Sequence, residues 1–105
     1  WLYVEDHVEA IDMIFHNGTI GETYCIGGEN EIKNIDLIKL IIKEFDNIKQ
    51  NKNSSVDFIS FVSDRLGHDY RYGVDISKIK NELGWEPKTN ISQGLKKTLN
   101  WYLND

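Results

Sequence analysis

Residues 34–48 read NIDLIKLIIKEFDNI, and this stretch predicts the longest helix of the chain. The apolar residues that recur at intervals of three and four, and so share one helical face, are Ile35, Ile38, Ile41, Ile42 and Phe45. Leu37 and Leu40 widen that face, and Asn34 is the expected N-cap residue. An apolar face of this width predicts burial on two sides of the helix, so this segment needs several packing partners.

The segments on either side alternate between helical and strand-like patterns. Apolar spacing of three and four predicts helices over residues 5–16 and 76–83, and a last helix that begins after Asn90. The β-rich segments ETYCIGG (22–28) and VDFISFV (56–62) predict two short strands. The resulting order, αβαβαα, indicates the α/β or α+β class, in which the helices need more partners than two short strands supply.

Local signals mark the ends of the later helices. Asp75 is placed to cap the helix over residues 76–83, and Gly84 follows it where helix ends favour a left-handed residue. Asn90 and Gln93 have the spacing of a capping box. These residues predict helix boundaries independently of the apolar pattern.

Composition and charge exclude several classes of protein. The chain has 105 residues, 40% of them hydrophobic and 28% charged, which suits one globular domain at most. A net charge of -5 argues against a nucleic-acid partner, because phosphate backbones are held by basic stripes. The apolar runs are too short for a membrane span and the first residues do not resemble a signal peptide, so we expect a cytoplasmic protein with no membrane partner.

Cysteine and histidine positions give no sign of a metal site. Cys25 is the single cysteine, which excludes an internal disulfide and a thiolate zinc cage, and we expect it to be buried in the first strand. His7 and His16 fall on opposite faces of the first helix and cannot share a metal. The acidic residues of EDH (5–7) are explained by the helix dipole more readily than by catalysis.

One stretch stands out from the acidic background. DRLGHDYRYG (64–73) combines arginines, a histidine, tyrosines and glycines, which is what an anion pocket needs: guanidinium forks, a ring nitrogen and glycine at a bend. The chain has no G-x-G-x-x-G turn, no phosphate loop ending in Gly-Lys-Ser and no nucleophile elbow. The residues alone therefore predict a small-anion site and no reaction.

Four stretches, taken in order, resemble a known family. They are WLYVEDHVEAID (1–12), ETYCIGGENEIKNIDL (22–37), DRLGHDYRYGVDISKIKNELGWEP (64–87) and GLKKTLNWYL (94–103). Together they are similar to the C-terminal portion of the dTDP-glucose 4,6-dehydratases, which are extended short-chain dehydrogenases/reductases. The pattern SKIKNELGWEP is shared with sister nucleotide-sugar epimerases and decarboxylases, whereas DRxGHDxRY favours the dehydratases.

The resemblance implies a division of labour in a longer enzyme. An N-terminal Rossmann domain would hold NAD and supply a catalytic Tyr-x-x-x-Lys pair, while residues 1–105 would form the C-terminal region that binds the dTDP-sugar. Here Tyr3, Tyr24, Tyr70 and Tyr72 are followed four positions later by residues other than lysine. We therefore expect a fragment with no catalytic, NAD-binding or metal-binding residue of its own, inactive alone, from an enzyme that is a homodimer at full length.

Three residues match positions that bind the ligand in that family. By resemblance, Arg65 pairs with the diphosphate, for which its planar fork is suited. His68 resembles the residue on the ribose and phosphate side, and Asn30 an asparagine on the same ligand. The alternatives are a surface ion pair of Arg65 with Asp64 or Asp69, His68 as a turn residue, and Asn30 as a loop cap.

Neighbouring positions are interpreted differently. We expect Arg71 and Tyr72 to pack or pair structurally, and the family usually has proline at Leu66 and often arginine at Tyr70. The sequence is thus interpreted as the nucleotide-sugar-binding part of a dTDP-glucose 4,6-dehydratase in deoxysugar biosynthesis. A related nucleotide-sugar epimerase or decarboxylase, and a non-catalytic interaction domain, remain the alternatives.

Overall fold

The computed structural model describes residues 1–104, which form two compact units. One unit is built from Trp1–Glu31 and Gly73–Gly94, and the other from Ile32–Tyr72 and the segment that begins at Leu95. In chain order the elements are α1 (Val4–Asn17), α2 (Asn34–Lys49), a 3₁₀ turn (Ser55–Phe58), α3 (Ser77–Leu83) and α4 (Ile91–Leu103).

The described residues are helical and contain no β-strand, so the predicted α/β class with short strands is not confirmed. Residues 22–28 have no regular structure, and Ser55–Phe58 form a 3₁₀ turn where the second strand was predicted to begin. A strand exists only when its backbone pairs with a neighbour, and propensity cannot supply that neighbour. The prediction that Cys25 is buried in a strand is also wrong, because its side chain is exposed.

Helix positions are predicted well, because apolar spacing and charge at helix ends are local properties. α1 carries Glu5 and Asp6 in its first turn and His16 in its last, as the helix dipole favours. α3 ends at Gly84, whose φ of 71° lies in the left-handed region that glycine adopts without strain.

The predicted caps are partly confirmed. The side chain of Asn90 accepts a hydrogen bond of 2.9 Å from the backbone nitrogen of Gln93, as a capping box requires. Asp75 accepts a bond of 2.9 Å from the backbone nitrogen of Ser77, the first residue of α3, but Ile76 occupies the N-cap position, so the prediction for Asp75 is only partly met. The N-cap prediction for Asn34 is wrong, since α2 begins at Asn34 and Lys33 occupies the cap position without a side-chain bond.

The core of the first unit joins α1 to α3 and to the segment after it. Its buried members are Ala10, Ile76, Ile79 and Trp85, and partly buried residues pack around them: Leu2, Met13, Ile14, Tyr24, Ile26 and Leu83. Trp85 is only 1% exposed. Burying a large apolar side chain contributes roughly 1.5–3 kcal/mol, so burial of Trp85 stabilises the unit.

In the second unit, α2 packs against the 3₁₀ turn. Leu37 is the one residue of α2 that is buried among those described, and Ile38 is 42% exposed, so the predicted burial on two sides is not found. The carboxylate of Asp46 ties α2 to the turn by accepting bonds of 2.8 Å from the backbone nitrogen and 2.6 Å from the hydroxyl of Ser55. Asn51 adds a further bond of 2.9 Å to the same carboxylate.

Candidate anion-binding site

The stretch DRLGHDYRYG lies on a long loop between the 3₁₀ turn and α3. All residues from Ser60 to Gly73 are exposed, and Leu66 and Tyr70 are fully so, at 101% and 105%. Tyr72 is 82% exposed, so the expectation that it packs structurally does not hold within the described residues. Arg71 does have an interaction partner, as expected.

Arg65 and His68 stand at the two ends of one tight turn. The backbone nitrogen of His68 donates a hydrogen bond of 3.3 Å to the carbonyl oxygen of Arg65. Gly67 between them has a φ of 72°, and a positive φ at the third position is typical of a type II turn, in which the end Cα atoms lie within about 7 Å. The turn therefore brings two of the three predicted ligand-binding residues together.

The side chains on this turn are available for a ligand. Among residues 1–104, neither the guanidinium of Arg65 nor the ring of His68 has a hydrogen bond or ion pair with another residue. The alternative of an ion pair between Arg65 and Asp64 or Asp69 is thus not found in the described chain. A guanidinium fork without a carboxylate partner can bind a phosphate group in bidentate fashion.

Asn30, the third predicted residue, belongs to the other unit. It is half-buried, and its backbone carbonyl oxygen accepts a hydrogen bond of 3.3 Å from the terminal amino group of Trp1. Its side-chain amide has no hydrogen-bond partner within the described residues, so the loop-cap alternative is not found there. An amide of this kind can both donate to and accept from a ligand.

Within the EDH stretch, Asp6 has a structural role that depends on residues far away in the sequence. Asp6 is 4% exposed, and one carboxylate oxygen accepts bonds of 3.2 Å and 2.9 Å from the backbone nitrogens of Lys88 and Thr89. Its other oxygen accepts a bond of 3.3 Å from the hydroxyl of Thr89. The helix-dipole explanation missed this arrangement, because the partners lie 82 and 83 positions later in the chain.

The shifted pKa values belong to surface contacts away from the turn. Hydrogen bonds from Ser55 and Asn51 lower the pKa of Asp46. The pKa of Lys78 is raised and that of Glu22 is lowered, in each case chiefly by the hydrogen bond between the two side chains. These groups join neighbouring segments and do not form a catalytic cluster.

Residues 1–104 also bear on metal binding and membrane insertion. No group of three or more histidine, cysteine, aspartate or glutamate side chains is arranged to hold a metal ion. None of the helices in that range combines the length and the apolar character that crossing a membrane requires.

An arginine and a histidine without protein partners on one exposed turn are groups that can bind a small anion. Comparison with known proteins gives the family. The family model described as GDP-mannose 4,6 dehydratase matches residues 1–98, and the chain belongs to this family.

Individual relatives are similar over the whole chain. A dTDP-glucose 4,6-dehydratase of Escherichia coli is 48% identical over 109 residues, which cover 100% of this chain and 30% of the relative. A dTDP-glucose 4,6-dehydratase of Salmonella typhimurium is 48% identical over 103 residues, which cover 98% of this chain and 28% of the relative. A crystal structure of dTDP-glucose 4,6-dehydratase from Bacillus anthracis in complex with NAD matches with a TM-score of 0.86 and 41% identity. The match covers 100% of this chain and 31% of the chain in that structure. This chain thus spans about 30% of the length of the curated relatives it matches.

Proposed function

We propose that residues 1–105 are the nucleotide-sugar-binding C-terminal region of a dTDP-glucose 4,6-dehydratase. The observation that carries this proposal is the similarity over the whole chain to enzymes of that name, at 48% identity for the Escherichia coli protein. The full-length enzyme would convert dTDP-glucose to dTDP-4-keto-6-deoxyglucose with loss of water, in a route to deoxysugars such as rhamnose.

The role of this region is to bind the dTDP moiety. Arg65 pairs its guanidinium fork with the diphosphate, and His68, at the other end of the turn, contacts the ribose and phosphate side. Asn30 offers its side-chain amide to the same ligand. The turn at Gly67 and the absence of protein partners for these side chains in the described chain support the assignment. Because the net charge of -5 repels an anion, the binding must come from such local groups.

The residues of this chain do not fit NAD. The sequence has neither a G-x-G-x-x-G turn nor a lysine four positions after Tyr3, Tyr24, Tyr70 or Tyr72. We assign NAD, which carries the hydride, to a Rossmann domain elsewhere in the full-length enzyme. Within that α/β enzyme the β-rich segment 22–28 would gain the strand partner that it lacks here.

The full-length enzyme is further proposed to be a cytoplasmic homodimer. The family resemblance supports both statements, and the exposed apolar face of α1 supports contacts beyond this chain. That face consists of Val4, Val8, Ile11 and Phe15, which are 53% to 83% exposed. Apolar patches of this kind usually mark a surface that is covered in the complete assembly.

An activity assay with mass detection tests the proposal. The full-length protein should remove water from dTDP-glucose, which lowers the mass of the sugar nucleotide. An epimerase would leave the mass unchanged. A decarboxylase needs a carboxylate that dTDP-glucose lacks, so it would leave dTDP-glucose unchanged, as would an interaction domain. GDP-mannose belongs in the same assay because the family model is described by that substrate. Dehydration of GDP-mannose and not of dTDP-glucose would contradict the proposed substrate.

A further inference from the structure

The backbone of Gly28 packs directly against the segment that precedes α1. A Cβ atom at this position would overlap the carbonyl oxygen of Trp1 and lie 2.8 Å from its carbonyl carbon and 3.5 Å from the Cα of Leu2. Real Cβ atoms essentially never come within 3.0 Å of another heavy atom, and a backbone neighbour cannot rotate away as a side chain can. Only glycine therefore permits the two backbones to approach so closely.

The same segment also holds Asn30. The terminal amino group of Trp1 donates to the carbonyl oxygen of Asn30 at 3.3 Å, two positions after the close contact at Gly28. The backbone of residues 28–30 is thus fixed against Trp1 at both ends, by close contact at one and by a hydrogen bond at the other. The side-chain amide of Asn30 is carried by this anchored backbone and has no hydrogen-bond partner in the described chain.

We propose that Gly28 is a positioning residue for nucleotide binding, acting through Asn30. Without a Cβ at position 28, the backbone packs against Trp1 and holds the amide of Asn30 where an uncharged group of the nucleotide can reach it. This inference rests on the proposed function, since it takes Asn30 to contact the nucleotide. Gly27 differs, because a Cβ there would meet the Cβ of Val74 at 3.1 Å and so affects side-chain packing alone.

A double-mutant cycle in the full-length enzyme tests the inference, with dTDP affinity measured by calorimetry. Asn30→Ala should weaken dTDP binding by about 2- to 10-fold, as expected for the loss of a neutral hydrogen bond. Gly28→Ala should cause a loss of similar size in the wild-type background. In the Asn30→Ala background, Gly28→Ala should weaken dTDP binding further by less than about 2-fold, because the effects of residues that act through one another are not additive. Gly27→Ala is the matched control and should lower the melting temperature without weakening dTDP binding.

A second pair of variants avoids the overlap at Gly28, in case Gly28→Ala fails to fold. In the full-length enzyme the nitrogen of Trp1 would belong to a peptide bond, whose N–H Trp1→Pro removes and Trp1→Ala keeps, so only the proline variant should reproduce the Asn30→Ala loss. Equal losses from Gly28→Ala with and without Asn30, or equal losses from both Trp1 variants, would overturn the inference. The inference would also be overturned if Asn30→Ala bound dTDP as tightly as wild type while Arg65→Ala bound it weakly. The proposed function would stand in that case. Failure of the wild-type enzyme to bind dTDP would instead refute the proposed function, and the inference with it.

Discussion

The indole nitrogen of Trp85 donates a hydrogen bond of 3.1 Å to the backbone carbonyl of Asp6, 79 positions earlier in the chain. The side chain of Asp6 in turn accepts the backbone N–H groups of Lys88 and Thr89. The segment that follows α3 is therefore fixed to the first turn of α1 by both the backbone and the side chain of one residue. This contact brings the start of α4 to the segment before α1, where Tyr3 packs on Gly94.

Removing the Asp6 carboxylate should destabilise this arrangement. Asp6→Ala leaves the backbone donors of Lys88 and Thr89 without an acceptor, which costs about 1–3 kcal/mol for a buried group. Asp12→Ala is the control on the same helix, since Asp12 is exposed and should change the free energy of unfolding by less than about 0.5 kcal/mol. Urea denaturation measures both. Equal stability of the two variants would show that the carboxylate of Asp6 is not structural.

The hydrogen bonds at Asp46 should make stability depend on pH in the acid range. Because its pKa is lowered in the folded chain, the carboxylate contributes stability above its unfolded pKa of about 3.9, and this is lost as the pH falls through the folded value. Asp46→Asn should therefore lower the melting temperature at about pH 7 and differ less from wild type at about pH 3. Ser55→Ala, which removes the first contributor to the shift, should show part of the same trend. A melting-temperature difference that does not change with pH would contradict this assignment.

The exposed face of α1 should make the isolated chain self-associate. Val4, Val8, Ile11 and Phe15 lie on one side of the helix and present apolar area to water. Val8→Lys together with Ile11→Lys should shift the protein toward monomer in sedimentation experiments. Asn17→Lys adds a charge at the end of the helix outside that face and should not. A wild-type chain that stays monomeric at high concentration would count against the prediction.

Much of the helical structure can be predicted from sequence, because its causes are local. The spacing of apolar residues locates α1 and α2 to within a residue or two, and Gly84 and Asn90 mark helix boundaries through their own backbone and side-chain chemistry. The segment 22–28 fails for the opposite reason. Its β propensity is real, but a strand requires a partner that the described residues do not provide.

The candidate site also has features that can be predicted from sequence and features that cannot. Arg65 and His68 share one turn because Gly67 lies between them, and this local arrangement can be predicted from the sequence. The structural role of Asp6 and the contact between Gly28 and Trp1 join residues distant in sequence, so neither the helix dipole nor the glycine pair reveals them.

Arg65 should dominate binding of the nucleotide. A hydrogen bond to a charged group is worth roughly 1.5–3 kcal/mol, so Arg65→Ala should weaken dTDP binding by about 10- to 100-fold. Arg65→Lys should recover only part of the loss, because a lysine keeps the charge but not the bidentate fork. Arg71→Ala is the matched control, since Arg71 lies on the same exposed loop but already has an interaction partner.

The most direct measurement is calorimetric titration of dTDP into the full-length enzyme and into its Arg65→Ala and Arg71→Ala variants. If the turn at Gly67 holds the diphosphate, Arg65→Ala loses most of the affinity and Arg71→Ala stays within about 3-fold of wild type. Equal losses in the two variants, or an unchanged affinity in Arg65→Ala, would show that the diphosphate is held elsewhere.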